Sequence, residues 1–88
     1  MATEDTTVPS VYFADVPEFE PIWQVATGDP DLEVARVGPY VELRFTGSVT
    51  IDRRASGVRH AVWYSSVGGV RDAAVVQFDK DALRVEAR

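Results

Sequence analysis

Eighty-eight residues with 45% hydrophobic content make one small domain with a core of its own, not a disordered chain. Fourteen acidic against nine basic residues leave a net charge of −5, which disfavours nonspecific binding to a polyphosphate. The lack of cysteine excludes a disulfide framework, a thiolate metal site and a cysteine nucleophile.

The charge is unevenly spread. Glu4, Asp5, Asp15, Glu18, Glu20, Asp29, Asp31 and Glu33 all precede the first basic residue, Arg36. The opening MATEDTTVPS has neither the basic start nor the apolar run of a signal peptide, and no apolar stretch approaches a membrane span. The chain therefore reads as cytoplasmic, with residues 1–9 as a disordered tail and residues 10–88 as a single β-rich domain.

Val11 to Ala14 reads as a short edge strand. Pro17, Pro21 and Pro30 then keep the next stretch out of the middle of a sheet. Phe19, Ile22, Trp23 and Ala26 recur at helical spacing, so a short helix is expected from near Pro17 to Thr27-Gly28. Asp29-Pro30-Asp31 is a turn, and Leu32 to Val37 a strand closed by Gly38-Pro39.

Tyr40 to Asp52 carries the clearest pattern. Val41, Leu43, Phe45, Val49 and Ile51 share one parity, and Tyr40, Glu42, Arg44, Thr46, Ser48, Thr50 and Asp52 the other. Strand side chains alternate between faces, so one face is apolar and the other wet. Gly47 interrupts the apolar parity. A hairpin there would pair Phe45 with Ser48 and bring polar residues onto the apolar face, so a bend is preferred.

Arg53 to Gly57 reads as a polar loop. Val58 to Val67 and Val70 to Phe78 flank Gly68-Gly69, which predicts a hairpin placing Trp63 opposite Ala74. A second turn at Asp79 to Ala82 would pair Phe78 with Leu83, Val76 with Val85 and Ala74 with Ala87. The main rival is a helical run from Arg54 to Val67, which must accept Gly57 and a β-branched, aromatic-rich stretch. The expected architecture is mostly β (β or α+β): a small antiparallel sheet, roll or barrel of five or six strands, with a C-terminal meander and one short N-terminal helix or arm.

Catalytic chemistry is hard to assemble from these residues. His60 is the only histidine, and a Ser-His pair with Ser65 or Ser66 lacks an orienting third group and an oxyanion site. One histidine without cysteine does not suit a transition metal, and the short acidic loops do not match a calcium pattern. No cofactor is implied. Arg53, Arg54, Arg59 and His60 form the one basic cluster, a candidate grip for a phosphate or carboxylate. Phe19, Ile22 and Trp23 lie among Asp15, Glu18 and Glu20, as in acidic docking elements with aromatic anchors; the alternative is that they cover the protein's own sheet.

The leading functional reading is a non-catalytic interaction module for a protein partner or a second copy. One alternative is a small-ligand or enzymatic pocket in a curved sheet lined by Trp63, Tyr64, Tyr40 and His60. The other is anion or nucleic-acid binding through the Arg53–Arg59 loop.

Overall fold

The computed structural model describes residues 8–88 and contains seven strands in two antiparallel sheets with three short helices. In chain order these are β1 (Ser10–Ala14), α1 (Glu20–Ala26), β2 (Glu33–Val37), β3 (Tyr40–Arg44), β4 (Ser48–Asp52), α2 (Arg53–Ser56), α3 (His60–Ser65), β5 (Val67–Arg71), β6 (Ala73–Phe78) and β7 (Ala82–Ala87). The mostly β domain is as expected, with more strands and helices than the pattern suggested. The expected tail lies outside the described residues up to residue 7, and the Pro9 carbonyl accepts from Phe45 N–H at 3.0 Å.

Two units of the same topology make up the domain. The first runs β1-α1-β2-β3 with strand order β2-β3-β1; the second runs β4-α2-α3-β6-β7 with order β6-β7-β4. The odd strand, β5, leaves the second unit and pairs with β1, completing the sheet β2-β3-β1-β5. The two units share one core: Val11, Phe13, Val41 and Leu43 from one sheet, Val49, Ile51, Leu83 and Val85 from the other. Ile22, Trp23 and Ala26 of α1 and Trp63 of α3 complete it.

Local chemistry explains several boundaries. Pro21 falls in the first turn of α1, where its missing N–H costs nothing, and Glu20 complements the positive end. The Asp31 N–H donates to Asp29 Oδ1 at 2.9 Å, closing the turn before β2. Gly47 has φ +77°, a left-handed conformation that glycine adopts without steric cost. The bend is thus real, and it carries the chain from β3 in one sheet to β4 in the other, so the alternating stretch is two strands and not one.

Three expectations are corrected. The Val11 strand is central, between β3 and β5, because β5 covers the side that the short sequence left open. The stretch before Gly68 is helical. Asp52 caps α2 by accepting from Arg54 N–H at 3.0 Å, and Gly57, at φ +75°, ends it. Val58, Val62, Trp63, Ser66 and Val67, at helix-like spacing through α3, are buried or half-buried, so period 3.6 prevails over the alternation. Gly68-Gly69 consequently lies inside β5, and the reversal into β6 falls at Asp72, φ +53°.

The last hairpin is as expected at its mouth, with Phe78 opposite Leu83. An irregularity between Val75 and Gln77 then shifts the register, giving Val75 opposite Val85 and Ala73 opposite Ala87. A bulge of this kind leaves no periodic trace in sequence, because it adds one unpaired residue to an otherwise regular alternation.

Candidate partner-binding face

Directly opposed residues of an antiparallel pair share a face. Across β2, β3, β1 and β5, the face turned away from the core carries Glu33, Arg44, Ser10 and Arg71 in one row. Ala35, Glu42, Tyr12 and Gly69 form the next, and Val37, Tyr40 and Ala14 a third. Glu33, Val37, Tyr40 and Arg71 are exposed, so this face looks to solvent.

A buried charge sits at its centre. Glu42 is only 4% exposed. Tyr12 Oη donates to its Oε2 at 2.8 Å, and Arg44 Nε donates to its Oε1 at 3.0 Å. Burial alone would raise the Glu42 pKa; the hydrogen bonds from Tyr12 and Arg44 and the Arg44 charge help to outweigh it, and the net shift is below the ordinary value. Ser10, fully buried beside this group, makes no hydrogen bond of good geometry through its hydroxyl.

The tyrosines are also placed by their surroundings. Tyr12 and Tyr40 meet edge to face with ring centroids 6.3 Å apart. A Cβ on Gly68 would stand 3.2 Å from Tyr40 Cε1. The glycine thus leaves room for the Tyr40 ring, a role the hairpin reading had hidden.

At the Arg44 end of this face is a cavity of about 280 Å³, lined by Val8, Pro30, Asp31, Glu33, Arg44, Phe45 and Thr46. It contains none of Trp63, Tyr64, Tyr40 or His60. Trp63 is instead fully buried, with its Nε1 donating to the Asp79 carbonyl at 2.6 Å, while Tyr64 is exposed. Sequence reasoning missed the cavity, since its walls come from the α1–β2 turn, β3 and the segment before β1. The Asp29-Pro30-Asp31 turn signal and the two strand patterns marked parts of its wall, but nothing in them brought those parts together.

The aromatic trio divides. Ile22 and Trp23 are buried against the sheets, and Phe19 is half-buried. Arg36 links the acidic segment to this corner: its Nε donates to Asp15 Oδ2 at 2.9 Å, and its guanidinium lies 6.0 Å from the Trp23 ring centre.

The basic cluster also divides. Arg53 donates to the Lys80 carbonyl through Nε and to the Val58 carbonyl through Nη1, at 3.3 Å for the latter, so it holds the loop before α3 against the β6–β7 turn. Arg54, Arg59 and His60 are exposed, and His60 stacks on Tyr64 with centroids 6.4 Å apart. Among the described residues there is no group of three or more His, Cys, Asp or Glu able to hold a metal ion, and no helix long and apolar enough to cross a membrane.

No protein-family model and no curated protein matches the chain. A chain in the solved structure of a phenol hydroxylase–regulatory protein complex has the same fold. The two superpose with a TM-score of 0.73 at 14% identity, over 92% of this chain and 99% of that one. The likeness therefore spans the whole domain and leaves almost none of the neighbour unaccounted for.

Proposed function

We propose that this protein is a non-catalytic regulatory component that docks onto a larger, oxygenase-type enzyme. The observation that carries the reading is the end-to-end likeness to a chain from a phenol hydroxylase–regulatory protein complex. The site chemistry supports it: the open sheet face has an aromatic pair, a locked buried carboxylate and a cavity, the ingredients of a recognition surface, while His60 stacks at the surface without an orienting partner.

The test is reconstitution. Purified chain is added to each purified multicomponent oxygenase encoded in the same genome, and complex formation and substrate turnover are followed as the ratio is raised. A saturable complex with changed turnover is expected. No complex and no change with any of them would overturn the proposal. An anion-binding role, by contrast, would have to rest on Arg54, Arg59 and His60, because the Arg53 guanidinium is occupied by backbone carbonyls.

A further inference from the structure

The geometry points to the Asp31–Glu33 cavity as the receptor for an arginine side chain of the protein partner. The inference rests on the docking role proposed above and names what the partner must present.

Size limits the occupant first. About 280 Å³ falls just under the roughly 300–1,000 Å³ of sites that enclose a drug-sized molecule or cofactor, and suits a single long side chain. Charge selects its sign. Glu42 already takes the Nε of Arg44, so the cation in the wall is offset by a buried anion. Asp31 and Glu33 form no ion pair among the described residues, and both are exposed. Among the described residues the negative charge of Asp31 and Glu33 is therefore unpaired, and no basic residue lies in the sequence between Asp15 and Arg36.

Shape and chemistry narrow the choice further. Val8, Pro30 and Phe45 supply apolar wall for a methylene stem, and the two carboxylates supply acceptors for its head. A planar guanidinium presents several N–H donors at once, so it can engage two separate carboxylates, whereas an ammonium acts as a point charge. Glu33 and Arg44 are direct cross-strand neighbours on the open face, so an arginine seated here would place the partner's surface over Glu42, Tyr12 and Tyr40.

The experiment uses the full chain, ¹⁵N-labelled, titrated with N-acetyl-arginine methylamide and, separately, with the neutral citrulline analogue. Amide shifts at residues 31–33 and 44–46 should saturate with the arginine probe, with affinity on the order of millimolar, and not with citrulline. The Asp31→Asn/Glu33→Gln variant, altered only at exposed positions, should weaken the arginine response roughly tenfold. Absence of saturable shifts at these residues, or equal shifts with citrulline, overturns the inference. The outcome is independent of the reconstitution test: a chain that docks on an oxygenase yet ignores arginine here loses only this inference. One that binds arginine but regulates no oxygenase loses the docking role.

Discussion

Trp23 and Trp63 occupy matching places in the two units, each on the helical crossover after the unit's first strand, and they are held in different ways. Trp23 is 8% exposed, with the Arg36 guanidinium near its ring. Trp63 is fully buried, edge-on to Phe78, with its indole N–H tied to the Asp79 carbonyl. The first unit keeps its polar investment on the outward face of its sheet, in the Tyr12–Glu42–Arg44 group; the second places it inside, beneath a turn. One topology therefore supports a polar sheet face open to solvent in one half and a sealed core in the other.

The harshest way to break the comparison is to remove the first strand and helix. Residues 32–88 alone lack β1, the strand that joins β3 to β5, and α1, which fills the core above β4. The dispersed amide-proton spectrum of the full chain should collapse in this fragment; retained dispersion would show that β2 to β7 fold without β1 and α1. Next in size, Trp63→Ala should cost about 3–5 kcal/mol in urea denaturation. Trp23→Ala should cost less, because its ring is already partly solvated. Equal losses would erase the distinction between the two crossovers.

Glu42→Ala should cost about 1–3 kcal/mol, since it leaves the Tyr12 hydroxyl and the Arg44 Nε without their acceptor. Gly47→Ala should cost about 1 kcal/mol through backbone strain at φ +77°, although no neighbour lies within 4 Å of the added Cβ.

The smallest effect is in pH dependence. Hydrogen-bonded stabilisation of its carboxylate depresses the Glu42 pKa in the folded state, so its contribution is complete above the ordinary value of 4.5 and is lost as pH falls through the lower folded value. Asp79 behaves likewise, its carboxylate held down by the Asp81 and Ala82 amides and by Gln77. Acid titration of stability should therefore be shallower in Glu42→Gln than in the parent, with the Asp79 contribution remaining. An unchanged acid limb would remove Glu42 from this account.

Much of the first unit was legible in the sequence. The helix at Phe19–Ala26, the turn at Asp29–Asp31 and the strands on either side of Gly38-Pro39 each follow from spacing or backbone chemistry within a few residues. The second unit was less so. Val58 to Val67 satisfies both an alternating and a helical pattern, and two adjacent glycines give the same signal at a turn as beneath a tyrosine ring. Of the candidate site, the alternation placed Tyr40, Glu42 and Arg44 together on one face. It said nothing of Tyr12 beside them, because strand order is invisible to periodicity.

The amino-acid sequence by itself determined the β-rich class, the parity of Val41 to Ile51, the bend at Gly47 and the acidic character of the first third. These are consequences of side-chain alternation, glycine's freedom at positive φ and simple charge placement. Only the tertiary structure decided that β5 leaves its own unit to cover β1, that Trp63 enters the core from a helix, and that Asp31, Glu33 and Arg44 meet around one cavity. Those outcomes depend on contacts between residues far apart in the chain, where packing of the shared core outweighs local preference.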